Sequence, residues 1–332
     1  MTYLCHMKTY QQLWQSLTPL YDAGEAQAIV RMVLDVKYGM TLTDIICGKV
    51  NELSADEGKK LEEIVERLQK AEPVQYILGE ADFAGRTFHV APGVLIPRPE
   101  TAELCQWIEE DCKASEHPTK DSTDKKQDSE DEKKDSPKRI LDICTGSGCI
   151  AITLALDIED SIVEGWDISE EALRIAQDNA KILDAKNVKI AHHDALSLAK
   201  VSKGIGKSFS DNEKKNIVGS NNDKWDLIVS NPPYICEKEK KDMEKNVLEH
   251  EPDIALFVPD EDPLRFYRAI AKYAAIALKT GGNLYFEINP IYEKEMREML
   301  EKLHFTKIET REDAFGKKRM MKATAKDDSC RP

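Results

Sequence analysis

Residues 139–156, RILDICTGSGCIAITLAL, hold an apolar strand-like run, a glycine loop and an apolar helix-like run in direct succession. Arg139–Cys144 is rich in aliphatic residues and suits a buried strand, while Gly146 and Gly148 let the backbone turn sharply before the helix Ile150–Leu156. The same alternation continues downstream. Strand-like runs stand at SIVEGWD (161–167), NVKIAHHD (187–194), WDLIVS (225–230) and NLYFEI (283–288). Between them lie helical runs such as SEEALRIAQDNAKIL (169–183) and DPLRFYRAIAKYAAIAL (262–278). Strands alternating with helices predict an α/β fold, an open and mostly parallel sheet covered on both faces. The rhythm breaks at the end, where TKIETRED (306–313) and KKRMMKAT (317–324) flank Ala314–Gly316 and predict an antiparallel edge hairpin.

Upstream of residue 73 the pattern is helical. Leu13, Leu17, Leu20 and Tyr21 recur at helical spacing, as do Ile29, Met32, Val33 and Val36, all read as core. Ser54 and Glu57 form a capping-box pair opening an amphipathic helix through Leu61, Ile64, Val65 and Leu68, which Pro73 ends. The segment Val74–Pro97 mixes aromatic and β-branched residues with glycine and proline, as in a short β-hairpin bridging two domains. RPETAELCQWIEEDC (98–112) then reads as a helix with Pro99 near its start. These readings divide the chain into a helical domain at 1–72, a hairpin linker at 73–98 and an α/β domain at 99–332. Two tracts, near 113–138 and 200–224, are dominated by Lys, Asp, Glu, Ser and Asn. They offer too little apolar surface to offset the entropy of ordering and are expected to be disordered insertions dispensable for chemistry, with regulation or interaction as the lesser alternative.

The chain of 332 residues carries a formal net charge of -14, and no basic domain is visible. Phosphate contacts supply most of the affinity for nucleic acid, so a DNA or RNA substrate is disfavoured. Met1–Tyr10 has no apolar run of signal-peptide length, and no stretch approaches the roughly 20 apolar residues that span a bilayer. The eight cysteines form no C-x-x-C pair, and His192 and His193 have no cysteine at ligand spacing, so reduced thiols in a cytoplasmic protein without a metal are expected.

Two sites stand out. The loop Cys144–Gly148 lacks both the six-residue dinucleotide fingerprint and the phosphate-binding lysine of nucleotide hydrolases, which points to a cofactor without phosphate. Asp167 ends the next strand, where a carboxylate can accept from both hydroxyls of a ribose. Asp194 ends the third strand and Ala195 follows it, where the adenine of the same cofactor would lie. A glycine loop alone is explained by a tight turn, whereas three consecutive strand ends of this kind describe a nucleoside site. The second site is Asn231-Pro232-Pro233-Tyr234, directly after the fourth strand. Asn-Pro and Pro-Pro also mark plain turns. Their functional reading rests on nitrogen chemistry. An amide nitrogen is a poor nucleophile because its lone pair is delocalised. The Asn231 side-chain oxygen and the Pro232 carbonyl can accept from both of its N–H groups and aim that lone pair at a methyl donor, with the Tyr234 ring packed on the planar group. One in-line transfer from a sulfonium to that nitrogen is then driven mainly by positioning.

NPPY in this setting resembles the signature of class I amino-methyltransferases, shared by protein-glutamine, DNA-adenine and some RNA-guanine enzymes. Other segments discriminate. PVQYILG (73–79), FHVAPGVLIPRPETAEL (88–104), EHEPDIAL (249–256), DPLRFYRAI (262–270), FEI (286–288) and D-x-x-G-x-x-R (313–319) resemble the release factor glutamine methyltransferases, the HemK/PrmC family, over nearly the whole chain except the two polar tracts. The resemblance implies a helical domain that binds the protein substrate and a Rossmann-like class I domain with a seven-stranded sheet. It further implies S-adenosylmethionine as cofactor and the glutamine of a release factor Gly-Gly-Gln tripeptide as substrate, with a monomer expected. It assigns cofactor binding to Cys144, Thr145, Gly146, Ser147, Gly148, Asp167, Asp194, Ala195 and Asn231. Substrate binding falls on Asn231, Pro232, Pro233 and Tyr234, and the catalytic role on Asn231, Pro232 and Tyr234. Two positions depart from the family pattern: Cys144 stands where glycine is common, and Ala195 where a large aromatic often covers the adenine. Arg98 and Glu100 are either a helix start with a surface ion pair or, by resemblance, a wall of the glutamine pocket. The competing readings are a DNA or RNA amino-methyltransferase and a binding module without turnover.

Overall fold

A computed structural model of the chain describes residues 8–116, 136–198 and 224–326. The central parts of both polar tracts, 117–135 and 199–223, lie outside the described residues. The chain forms two compact units. The first comprises Met1–Ala81, Val90–Pro92 and Asp242–Glu251, and the second the rest.

In the first unit the helices Ala23–Tyr38 and Ala55–Leu68 enclose a core of Leu13, Leu17, Val30, Val33, Leu34, Leu61, Val65 and Leu68. Ser54 accepts from Glu57 N while the Glu57 side chain takes Ser54 N, a complete capping box. Three positions read as core are instead exposed: Leu20, Met32 and Val36. The helix Ala23–Tyr38 buries the face of Ala26, Val30, Val33 and Leu34, and Met32 and Val36 fall on the flank of that stripe. A second correction concerns the segment after Pro73. Val74–Leu78 is a short helix, and only Glu80–Phe83 and Arg86–His89 form the hairpin β1–β2. Tyr76 and Ile77 donate to the Pro73 carbonyl, and Gly79 ends the turn in the left-handed region at φ 80°.

The second unit is built on a seven-stranded sheet. Its strands are β3 (Lys138–Ile143), β4 (Ser161–Asp167), β5 (Val188–His192), β6 (Trp225–Ser230), β9 (Leu278–Glu287), β10 (Thr306–Glu312) and β11 (Lys318–Thr324). A separate short pair consists of β7 (Ile235–Cys236) and β8 (Phe257–Val258). The order is β10-β11-β9-β6-β3-β4-β5, parallel except where β11 pairs antiparallel with both β9 and β10. Two apolar layers cover the sheet. Leu141, Ile143, Ile228 and Phe286 face the helices Arg265–Ala277 and Glu293–Lys302, while Ile140, Val229 and Tyr285 face Pro99–Glu116 and Cys149–Asp157. The helix Pro99–Glu116 takes in residues 113–116, so the first polar tract begins later than its composition implied.

Chain direction positions the site. The path runs outward from β3 through β4 to β5, then returns to β6 on the other side of β3. The crevice between β3 and β6 is therefore the topological switch point, where α/β sheets bind ligands. Register aligns the strand ends there: Ile143 pairs with Trp166 and Ser230, and Ser230 with Phe286. The next residues, Cys144, Asp167, Asn231 and Glu287, consequently stand side by side, strand by strand.

Candidate active site

A cavity of about 330 Å³ opens at these strand ends. Cys144, Thr145, Gly146, Ser147, Asp167, Asp194, Ala195, Asn231 and Pro233 all line it, together with Arg98, Thr101, Phe257 and Phe266. Gly148, Pro232, Tyr234 and Glu100 do not.

The glycine loop is held from below. Thr145 Oγ1 donates to Asp142 Oδ2 at 2.5 Å, and Ala151 N, in the first turn of the following helix, donates to the same oxygen at 3.2 Å. Burial pushes the Asp142 carboxyl up to about 7 against the pull of these donors. Gly146, at φ 53°, has nothing within 4 Å of where a Cβ would stand, leaving its backbone open to a ligand. Gly148 serves packing instead. A Cβ there would lie 3.0 Å from Ile152 Cδ1 and 3.1 Å from Ala176 Cβ. Cys144 adopts φ 64°, the left-handed conformation that glycine takes readily, and packs against the core layer. Burial and the Asp167 and Asp142 carboxylates push its thiol well up, so it remains neutral.

Asp167 accepts Gly146 N at 2.9 Å on Oδ2 and Ser169 N at 2.9 Å on Oδ1. Each oxygen keeps a further lone pair for a ligand hydroxyl. Burial raises its carboxyl, and the backbone donors oppose the rise. Asp194 lies beyond the end of β5, which closes at His192, and its Oδ1 accepts Leu196 N at 2.8 Å. Leu196, Phe257, Phe266 and His193 line the same cavity as Ala195.

On the other side, Asn231 Nδ2 donates to Thr101 Oγ1 at 3.2 Å. Thr101 donates in turn to Glu287 Oε2 at 2.5 Å, and the Tyr234 hydroxyl donates to Glu287 Oε1 at 2.9 Å. The Tyr234 ring packs against the core layer. Asn179 completes the frame: its Nδ2 donates to the carbonyls of His89 and Ser147, both at 2.9 Å, and its Oδ1 accepts His89 N at 2.7 Å.

Sequence reading missed Asp142, Thr101, Asn179 and Glu287. Asn179 had a signal, an amide on the apolar stripe Ala172, Ala176 of its helix. Glu287 had one too, an acid at the end of the apolar run NLYFEI.

The residues present fit a nucleoside cofactor without phosphate: an open glycine backbone and two carboxylates line one cavity, and an amide stands opposite. This fold and this cavity define an S-adenosylmethionine-dependent methyltransferase. Residues 134–258 match the family described as methyltransferase domain, and residues 15–79 the one described as PrmC N-terminal domain. A release factor glutamine methyltransferase of Bacteroides thetaiotaomicron is 44% identical over 93% of this chain and 96% of its own length. Those of Flavobacterium psychrophilum and Streptococcus pneumoniae are 36% and 34% identical, over 95% and 91% of this chain and 98% and 93% of their own lengths. The chain belongs to the release factor glutamine methyltransferase family.

Proposed function

We propose that the chain methylates the side-chain amide nitrogen of the glutamine in the Gly-Gly-Gln tripeptide of a peptide chain release factor. The observation that carries this reading is the placement of Asn231 on the wall of the cavity lined by Gly146 and Asp167, with its Nδ2 engaged by Thr101. S-adenosylmethionine, when bound, supplies the electrophilic methyl group. Asp167 would hold the ribose hydroxyls, the loop Cys144–Ser147 the methionine portion, and the wall around Asp194 and Ala195 the adenine. The Asn231 Oδ1 and the Pro232 carbonyl would accept from the two N–H groups of the glutamine amide, directing its lone pair towards the methyl carbon. The nitrogen would gain the methyl as the bond from that carbon to sulfur breaks, the sulfur keeping the electron pair as a neutral thioether, and would lose a proton to water. The first unit would dock the release factor. The acidic balance of the chain favours a protein over a nucleic-acid substrate. Among the described residues no helix is long and apolar enough to cross a membrane. We read the protein as a cytoplasmic monomer.

The test is transfer of labelled methyl from S-adenosylmethionine to a purified release factor. Label is expected on the intact factor, and none when the tripeptide glutamine is replaced or when Asn231→Ala enzyme is used. Label on a DNA or RNA substrate, with none on the factor, would overturn the reading.

A further inference from the structure

Glu287 closes β9 one register step beyond the Ser230–Phe286 pair and is 2% exposed. Its two carboxylate oxygens are used differently. Oε1 takes the Tyr234 hydroxyl, and Oε2 takes the Thr101 hydroxyl. A hydroxyl has one proton to donate. Thr101 commits that proton to Glu287, so towards Asn231 its oxygen can act only as an acceptor. The arm of the Asn231 amide turned to Thr101 must therefore be Nδ2, which is the contact found at 3.2 Å. The other arm, Oδ1, accepts no hydrogen bond from the described residues.

We propose that Glu287 is a positioning residue for methyl transfer: acting through Thr101, it sets the direction of a hydrogen-bond chain that leaves the Asn231 side-chain oxygen facing the cavity. The inference rests on the role of Asn231 proposed above. The direction matters because the substrate amide brings two donors. An Asn231 turned the other way would meet them with its own N–H groups, and the contact would become repulsive. An acceptor-only carboxylate at the far end forbids that turn. A glutamine or a protonated acid there permits it, since either can donate to Thr101 and free the threonine proton for Asn231 Oδ1.

The groups that act on the Glu287 carboxyl include Thr101, Tyr234, Arg319, Glu100 and the buried Cys149 thiol, and the Tyr267 hydroxyl donates to its backbone carbonyl at 3.0 Å. Arg319 lies 3.5 Å from Asp313 within the β10–β11 hairpin and favours the ionised form, as do the two hydroxyls. Burial acts against them and prevails, so Glu287 titrates above the usual glutamate range. Protonation as pH falls towards that range would reverse the chain and slow turnover.

The experiment compares kcat, KM and S-adenosylmethionine affinity of the full-length enzyme and its Glu287→Gln, Thr101→Val, Thr101→Ser and Asn231→Ala forms, acting on a release factor. Glu287→Gln and Thr101→Val are expected to lose kcat by roughly tenfold to a hundredfold, with cofactor affinity nearly unchanged. Thr101→Ser, which keeps the hydroxyl, should restore most of it. The wild type should show an acid limb in kcat that Glu287→Gln lacks. Wild-type kcat in both Glu287→Gln and Thr101→Val, with Asn231→Ala inactive, overturns this inference and leaves the role of Asn231 standing. Full activity in Asn231→Ala removes both. Should Glu287→Gln not fold, the Thr101→Val and Thr101→Ser pair decides by the same criterion.

Discussion

Thr101 precedes Asn231 by 130 residues in the chain, yet its Oγ1 lies 3.2 Å from the Asn231 amide nitrogen. It sits in the first turn of the helix Pro99–Glu116, and its own proton goes to Glu287. The motif Asn231–Tyr234 is thus not self-sufficient. Its amide is oriented by a helix start and a strand end from distant parts of the sequence.

Tyr234 tests how that motif divides its work. Its ring does not line the cavity, and its hydroxyl is bound to Glu287, with burial and that carboxylate holding its proton firmly. Tyr234→Phe should cost about 1–2 kcal/mol of stability by leaving Glu287 Oε1 without a donor, while kcat falls by less than about tenfold because the Thr101 arm remains. Thermal melting and steady-state kinetics on one preparation check both parts; a loss as large as that of Asn231→Ala would return Tyr234 to direct substrate contact.

Asn179 satisfies three backbone groups at once, on His89 and Ser147. Asn179→Leu keeps the branched heavy-atom shape but, with its bulkier methyls, strands all three. The expected loss is roughly 2–4 kcal/mol in urea unfolding, with weaker cofactor binding because Ser147 belongs to the glycine loop. Unchanged affinity in a folded variant would show that the loop holds itself.

Gly165 lies in β4 beneath the loop. A Cβ there would come within 2.8 Å of Thr145 Oγ1 and 2.9 Å of Ile190 Cδ1. Gly165→Ala should destabilise by about 1–3 kcal/mol through this crowding, and the displaced Thr145 should lower cofactor affinity, read by calorimetric titration. A neutral result would mean that the sheet yields locally at no cost.

Asp142 gives the protein a pH dependence of known sign. Its folded value of about 7 lies above the ordinary 3.8, so the native state holds the proton more tightly than the unfolded chain. The contribution is fully present below about 4 and is lost as pH rises through about 7. Asp142→Asn carries no such term. Its melting temperature relative to wild type should therefore rise by roughly several degrees between pH 5 and pH 8. A constant difference across that range would show that Asp142 titrates normally.

The strand ends were legible because each is a local pattern: RILDIC before the glycines, SIVEGWD ending in an acid, WDLIVS before Asn231. Hydrophobic periodicity and punctuation suffice for such features. The same rules erred where burial depends on neighbours. Val74–Leu78 looks strand-like by composition but closes a helical turn on Pro73, and Met32 and Val36 share a helical period with buried residues without facing the core.

Composition and local order alone thus determined the α/β alternation, the edge hairpin, the glycine loop and the residues Asp167 and Asn231. Only the tertiary structure decided what Asn231 leans on. Parallel register brought the ends of β3, β4, β6 and β9 to one level, and the helix Pro99–Glu116 delivered Thr101 to that level. Side-chain hydrogen bonds act over about 3 Å, a distance unrelated to separation along the chain, so the partnership of Asn231, Thr101 and Glu287 has no sequence signature of its own.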